Sequence, residues 1–245
     1  MMPRVRIALL YAPPWKIAAP GQPRYPAGEG PPLGSEGVAL GGDFSEAPYG
    51  LLAIAAQCIR AGHDVRILNL CTYPWPEVER IVARLDADVF GMSVFTANRR
   101  GSMFLADLIF ALHPRAHVCL GGPHATALPR ELIERCGSVD SVVSGEGEET
   151  FFELLSAIEE GRSLTGICGL TYRGPLGARS NPPRARIGEL DALLDYHELW
   201  KSPFVITSRG CPGECTYCGS NTTWGVRLRF HSVSYTLDML ERTVA

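Results

Sequence analysis

Five short apolar runs, each followed by a segment with helical spacing, occupy the first 160 residues of the chain. The predicted strands are Val5–Leu10, Val65–Leu70, Val89–Val94, His117–Leu120 and Ser141–Val143. The predicted helices are Tyr49–Ala61, Pro76–Leu85, Ser102–Leu112, Arg130–Arg135 and Glu148–Glu159. Strands that alternate with helices favour a parallel sheet with helices on both faces. The sequence therefore predicts an α/β domain on a five-stranded, doubly wound parallel sheet.

Polar and glycine-rich segments follow the third, fourth and fifth predicted strands. They contain Ser93 and Thr96, then Gly121-Gly-Pro-His-Ala-Thr126, and then Ser144-Gly-Glu-Gly-Glu-Glu-Thr150. Open parallel sheets bind ligands at the carboxyl ends of their strands. Glycines there let the backbone approach a large flat ligand, and hydroxyl groups supply hydrogen bonds. Taken singly, Gly-Gly-Pro is equally typical of a tight turn, and the glutamates are typical of a first helical turn, where the macrodipole favours negative charge.

The segment between the first strand and the first helix, residues 13–48, is dense in proline and glycine. So long a segment without regular structure inside a compact domain is usually functional or disordered. Because it starts at the ligand end of the sheet, we interpret it as a cap over the ligand or the substrate channel, with solvated disorder as the alternative.

The eight cysteines fall into two groups. Five stand singly among apolar neighbours and are predicted to be small buried side chains: Cys58, Cys71, Cys119, Cys136 and Cys168. The other three, Cys211, Cys215 and Cys218, share one loop that reads Arg209-Gly-Cys-Pro-Gly-Glu-Cys-Thr-Tyr-Cys-Gly219. Three convergent thiolates can bind three corners of a four-iron cluster and leave the fourth iron open to a substrate or cosubstrate.

The cysteine loop has three other interpretations. A structural zinc site has four ligands, so His231 would have to supply the fourth from a distance. A disulfide framework is typical of secreted chains. Inert thiols are the third possibility, and the spacing favours the iron–sulfur cluster over all three.

Charge and hydropathy exclude several classes of protein. The net charge of −3 gives no basic footprint for nucleic acid. The first apolar run is too short for a signal peptide, and no run approaches the roughly 18 residues of a membrane span. We therefore expect no nucleic acid partner, no membrane span and a cytoplasmic location with reduced thiols.

The cysteine loop resembles the signature of the radical S-adenosylmethionine superfamily, which has this spacing and an aromatic residue where Tyr217 stands. The resemblance implies a [4Fe-4S] cluster held by the three cysteines, whose open iron binds S-adenosylmethionine. It implies further that the loop around Tyr217 and Gly219 lies along the adenosyl group. An external one-electron reductant such as flavodoxin or ferredoxin is expected as a partner, together with a small-molecule or peptide substrate.

The first domain resembles the Rossmann-like cobalamin-binding domain that precedes radical S-adenosylmethionine cores. The resemblance covers about Arg4 to Gly161 and depends on Gly91-Met-Ser-Val94, the Gly-Gly-Pro-His-Ala-Thr turn and the Gly-Glu-Gly-Glu helix start. It implies that cobalamin is contacted by the residues that match the family's loops: Ser93, Thr96, Gly121, Gly122, His124, Gly145 and Glu146.

One departure from the cobalamin pattern is informative. Many cobalamin domains carry Asp-x-His-x-x-Gly after the first strand, with the histidine bound to cobalt, whereas this chain reads Tyr11-Ala-Pro-Pro-Trp-Lys16. The only Asp-x-His of the sequence, Asp195-Tyr-His197, lies beyond the sheet and is interpreted as interdomain packing. We therefore expect cobalamin to bind with no histidine nitrogen on cobalt.

The rest of the chain is predicted to be a linker, residues 162–202, and the start of a TIM-type radical core, residues 203–245, after the cobalamin domain of residues 1–161. The predicted elements are a hairpin of Cys168–Arg173 and Arg184–Ile187, a first core strand Pro203–Thr207 and a first core helix Ser232–Ala245. A complete barrel needs about 200 residues. We therefore expect the chain to be part of a longer enzyme or of a split gene.

The functional expectation combines the two resemblances. The leading hypothesis is a cobalamin-dependent radical S-adenosylmethionine enzyme that methylates an unactivated carbon through a 5'-deoxyadenosyl radical and methylcobalamin. Two alternatives stay open: a cyclase or rearrangement enzyme that uses cobalamin without methyl transfer, and a non-catalytic cobalamin-binding fragment.

Overall fold

A computed structural model describes residues 5–13, 38–39, 49–71, 73–198 and 204–244, and its centre is an eight-stranded sheet. The strands are β1 (Arg6–Tyr11), β2 (Val38–Ala39), β3 (Asp64–Asn69), β4 (Val89–Ser93), β5 (His117–Gly121), β6 (Ser141–Val143), β7 (Leu170–Gly174) and β8 (Gly177–Ser180). In space the order is β2-β3-β1-β4-β5-β6-β7-β8. Pairs from β2 to β6 are parallel and those from β6 to β8 antiparallel. The predicted α/β class is confirmed, with further strands at both edges.

Helices cover both faces of this sheet. They are α1 (Tyr49–Arg60), α2 (Trp75–Ala83), α3 (Arg99–Leu112), α4 (Pro123–Ala127), α5 (Pro129–Arg135) and α6 (Glu148–Glu159). Successive strand side chains point to opposite faces, so Ala8 and Leu10 of β1 pack with α2, α3 and α5, whereas Ile7 and Leu9 pack with α1 and α6. β1 pairs with β3 on one side and β4 on the other, so the strand order reverses beside β1. Ligand crevices of such sheets form at this reversal.

The hairpin of β7 and β8 extends the sheet beyond residue 161, the predicted end of the first domain. The predicted return strand Arg184–Ile187 is wrong, because the chain turns back at once into β8, with Gly177 at a φ of +109°. Arg184 instead packs on α6, where its Nε donates to Thr150 Oγ1 over 2.7 Å. The sheet therefore includes the first half of the predicted linker.

The segment after residue 203 begins differently from the prediction. The predicted strand Pro203–Thr207 is wrong in its described part, residues 204–207, and a two-residue strand β9 (Ser208–Arg209) follows it instead. β9 pairs antiparallel with β10 (Arg229–Phe230), and α7 (Ser220–Trp224) lies between them in sequence. The predicted last helix is α8 (Val233–Val244), whose buried residue is Met239.

Burial confirms most of the predictions for the single cysteines. Cys58, Cys71, Cys119 and Cys136 are buried, and Cys168 is half-buried. Burial raises the pKa of the Cys58 and Cys119 thiols to about 12, so both are neutral core side chains at physiological pH. Across the described residues, no helix is long and apolar enough to cross a membrane.

Candidate functional site

A cavity of about 490 Å³ lies at the carboxyl edge of the sheet, where the sheet faces the C-terminal segment. Five of the predicted cobalamin residues line it: Ser93, Gly121, Gly122, Gly145 and Glu146. The C-terminal segment contributes Ser208, Arg209, Gly210, Thr223 and Trp224. Much of the remaining lining is apolar or aromatic, including Tyr11, Phe95, Leu120 and Phe151. The cavity thus joins the strand ends to the segment that carries the cysteine loop.

Gly122 allows the loops after β4 and β5 to touch. Its φ is +92°, and a Cβ there would lie 2.9 Å from both Ser93 Oγ and the Val94 nitrogen. The Val94 N–H donates to the Gly121 carbonyl over 2.8 Å, which fixes the same approach. A side chain at position 122 would push these loops apart, so the glycine shapes the cavity wall.

Thr96 and His124 lie outside the lining of this cavity. Thr96 Oγ1 and His124 Nδ1 are 3.1 Å apart and hydrogen-bond to each other. His124 lines a second pocket of about 360 Å³ between α3 and α5. Burial, together with the charge of Arg99, lowers the pKa of the His124 imidazole. The structure therefore separates these two residues from the other predicted cobalamin residues.

Glu146 forms the centre of a buried ion network. Its carboxylate accepts hydrogen bonds from Arg229 Nη1 over 2.8 Å and from the Ile187 N–H over 2.8 Å, and Arg209 Nη1 lies 3.4 Å away. Its side chain is 2% exposed. Burial alone would raise the pKa of Glu146, but Arg229, Ile187 and Arg209 outweigh it and hold that pKa below its usual range.

Arg209 extends the network to the cysteine loop. Its Nη2 donates to Glu148 Oε1 over 2.7 Å, and its guanidinium lies 5.4 Å from the ring centroid of Trp224. Arg209 stands two residues before Cys211, so the start of α6 and the cysteine loop are joined by buried opposite charges. Sequence reasoning missed Arg209 and Arg229 because each pairs with a residue more than 60 positions away.

The cysteine loop brings two of its three thiols together. A Cβ at Gly213 would lie 3.4 Å from Cys211 Sγ and 3.8 Å from Cys215 Sγ, so glycine leaves space between the two sulfurs. Cys218 Sγ lies 3.2 Å from Ser220 Oγ, and hydrogen bonds from the Ser220 side chain and backbone lower the pKa of this exposed thiol. A thiolate is the form that binds iron.

Within the described ranges, no three His, Cys, Asp or Glu side chains are close enough to one another to hold a metal ion. The sulfurs of Cys211 and Cys215 nevertheless both lie near Gly213, and the exposed Cys218 is the third thiol of the same loop. His231, the fourth ligand that zinc would need, has its Nδ1 2.8 Å from Asp191 Oδ1 and stacks on Tyr235. Three thiolates on one loop are the donor set of a cluster with one open iron, whereas zinc would also need His231 from outside the loop.

The Asp195-Tyr-His197 motif is buried where the linker meets two helices. Asp195 Oδ1 lies 2.6 Å from His197 Nδ1, and Asp195 Oδ2 accepts from Arg242 of α8 over 3.0 Å. Gln57 of α1 donates to the carbonyl of Leu194 beside it. The pair therefore joins α1 to α8, in agreement with the predicted packing role.

Comparison with known sequences finds a family match within the first domain. The family described as the B12 binding domain matches residues 39–155. An uncharacterized methyltransferase from Pyrococcus horikoshii is 34% identical over 206 residues, which cover 79% of this chain and 45% of that protein. An anaerobic magnesium-protoporphyrin IX monomethyl ester cyclase from Synechocystis is 29% identical over 197 residues, covering 72% of this chain and 38% of that protein. The chain spans less than half the length of these relatives.

Comparison with solved structures extends the similarity to the C-terminal segment. The radical S-adenosylmethionine methyltransferase TsrM from Kitasatospora setae, solved with cobalamin and a [4Fe-4S] cluster bound, superposes with a TM-score of 0.64 at 21% identity. The superposition covers 97% of this chain and 45% of that chain, which shows a shared fold. The predicted resemblance to cobalamin-binding radical S-adenosylmethionine proteins is confirmed.

Proposed function

We propose that this chain takes part in a cobalamin-dependent radical S-adenosylmethionine reaction that methylates an unactivated carbon. The observation that carries the proposal is the single cavity at which the strand ends of a B12-type sheet face the segment with the three-cysteine loop. The proposal places the cobalamin domain at residues 1–161, the linker at 162–202 and the start of the radical core at 203–245. A small-molecule or peptide substrate and a one-electron reductant complete the reaction.

The residues proposed for each cofactor are those that match the two family patterns, and the cavity lining supports four of them. Cys211, Cys215 and Cys218 would hold a [4Fe-4S] cluster, with Tyr217 and Gly219 along the adenosyl group of S-adenosylmethionine. Ser93, Gly121, Gly122 and Gly145 would face cobalamin from the sheet, while Thr96 and His124 would lie at its nucleotide tail. Bound together, these cofactors supply a hydrogen-abstracting radical and a methyl group, and the protein supplies orientation and water exclusion.

Glu146 acts differently from the other predicted cobalamin residues in this proposal. Its two oxygens are engaged by Arg229, Arg209 and the Ile187 N–H, so it supports the cavity wall rather than binding the cofactor directly. We also propose a cytoplasmic location, supported by eight cysteines that form no disulfide.

Isotope transfer tests methylation against the alternative of cyclisation, which the cyclase from Synechocystis favours. The full-length enzyme is incubated with methyl-labelled S-adenosylmethionine, cobalamin, a reductant and candidate substrates. We expect label in the product carbon skeleton, since the methyl group passes from S-adenosylmethionine through cobalamin. An unlabelled, cyclised product would instead establish the cyclase function.

The axial position on cobalt gives a second test. The described part of the loop after β1, Tyr11–Pro13, carries no imidazole, and residues 14–16 lie outside the described ranges. We expect the electron paramagnetic resonance spectrum of the cob(II)alamin form to lack nitrogen triplet splitting, because no histidine reaches cobalt. Triplets that vanish in His124→Ala or His231→Ala would contradict this prediction and identify the axial ligand.

A further inference from the structure

His231 lines the cavity and forms a half-buried pair with Asp191 beside it. His231 Nδ1 lies 2.8 Å from Asp191 Oδ1, and the imidazole side chain is 8% exposed. The ring stacks on Tyr235 with centroids 4.5 Å apart and planes 8° apart. The hydroxyl of Tyr235 in turn donates to the carbonyl of Leu193 over 2.9 Å. The imidazole is therefore held by a carboxylate at one nitrogen and by an aromatic ring on one face.

The carboxylate of Asp191 determines which ring nitrogen carries the proton. Burial raises the pKa of Asp191, but hydrogen bonds from Ser232 and His231 outweigh it and lower that pKa below its usual value. An ionised carboxylate can only accept a hydrogen bond, so Nδ1 is the ring nitrogen that donates, and in the neutral form of the ring Nε2 then carries the lone pair. This assignment leaves Nε2 as a hydrogen-bond acceptor.

Nε2 of His231 has no hydrogen-bond partner among the residues that the structure describes. The charged side chains that share the cavity wall are engaged elsewhere: Glu146, Glu148 and Arg209 pair with one another, and Asp195 pairs with His197 and Arg242. His231 also lines the cavity. Because Asp191 holds Nδ1, Nε2 is the ring nitrogen left to meet a ligand in this largely apolar cavity.

A lone pair in an apolar cavity selects a neutral group that carries an N–H or O–H, because an unpaired acceptor there would cost free energy. The corrin ring of cobalamin carries primary carboxamides along its rim. We propose that His231 Nε2 accepts a hydrogen bond from one of these carboxamides, and so holds the corrinoid from the side of the cavity opposite the strand ends. This inference rests on the proposed function, namely that the cavity binds cobalamin.

Two corrinoid probes test the hydrogen bond. Dicyanocobinamide keeps the rim carboxamides, whereas heptamethyl cobyrinate replaces them by esters that have no N–H. We expect His231→Ala to bind dicyanocobinamide about tenfold more weakly than the wild-type protein, the effect of one lost hydrogen bond. His231→Gln, which keeps an acceptor, should recover most of that affinity. For heptamethyl cobyrinate, wild type and His231→Ala should bind equally, because the ester cannot donate.

The control variant is His113→Ala, which removes an imidazole bound to the Val82 carbonyl outside the cavity lining. It should bind both probes as the wild type does, and thermal unfolding checks that each variant is folded. If the wild type binds neither probe, the proposed function fails. If the wild type binds dicyanocobinamide and His231→Ala binds it equally well, cobalamin binding stands and the inference is overturned. Nitrogen triplets on cob(II)alamin that His231→Ala removes would also overturn it, since Nε2 would then bind cobalt.

Discussion

Cys215→Ala abolishes the four-iron cluster that we propose for the cysteine loop when the protein is reconstituted anaerobically with iron and sulfide. Cys215 and Cys211 lie on either side of Gly213, so removing either sulfur leaves fewer than three protein ligands. Three thiolates are the minimum that holds a cluster with one open iron. We expect iron content to fall from about four atoms per chain to under one, with loss of the visible absorbance of the cluster.

The matched control for this variant is Cys168→Ala, which removes a half-buried thiol outside the loop. It should reconstitute like the wild type. Iron and sulfide analysis with electron paramagnetic resonance of the reduced protein measures both variants. A four-iron signal that survives unchanged in Cys215→Ala would show that the loop does not hold the cluster.

Glu146→Gln should lower the free energy of unfolding by about 3–5 kcal/mol, the usual cost of removing one partner of a buried ion pair. The change leaves the buried guanidinium of Arg229 without its carboxylate partner, while Arg209 keeps Glu148. Urea unfolding followed by circular dichroism gives the value. Because Arg209 leads directly into the cysteine loop, we also expect the variant to reconstitute less iron.

The control for Glu146→Gln is Glu149→Gln, three residues along the same loop and first helical turn. Glu149 is 54% exposed and pairs with Arg184, so its loss should cost about 0–1 kcal/mol. If Glu146→Gln and Glu149→Gln lower the free energy of unfolding equally, the buried network does not join the start of α6 to the cysteine loop.

Acid unfolding gives an independent measure of the same network. The folded-state pKa of Glu146 lies below its usual value of 4.5, so its stabilising contribution is present above that pH and is lost as pH falls through the folded value. Glu146→Gln has no such group to protonate. Its loss of stability as the pH falls below about 4.5 should therefore be smaller than that of the wild type.

The residue pattern predicts the regular part of the fold closely. Hydrophobic periodicity places the five parallel strands and their helices within a few residues, since burial on a sheet face or a helix stripe repeats at fixed local spacing. The predicted return strand of the β7–β8 hairpin is misplaced because β8 buries only Ala178 and so shows no apolar alternation. The strand before the cysteine loop was misplaced for a related reason: two-residue strands such as β9 are too short for a periodic signal.

The candidate site also has a part that the sequence predicts and a part that only the structure shows. The three-cysteine spacing and the glycines after β5 and β6 can be recognised from the sequence alone, because each of these features lies within a single loop. Only the tertiary structure decides that Glu146 meets Arg229 across 83 residues and that His231 meets Asp191 across 40. The sequence does not indicate which distant residue a charged side chain pairs with, because that pairing depends on which elements pack against each other. The residue types therefore identified the chemistry available to the chain, and the packing of the C-terminal segment on the strand ends decided which side chains support the cavity and which face it.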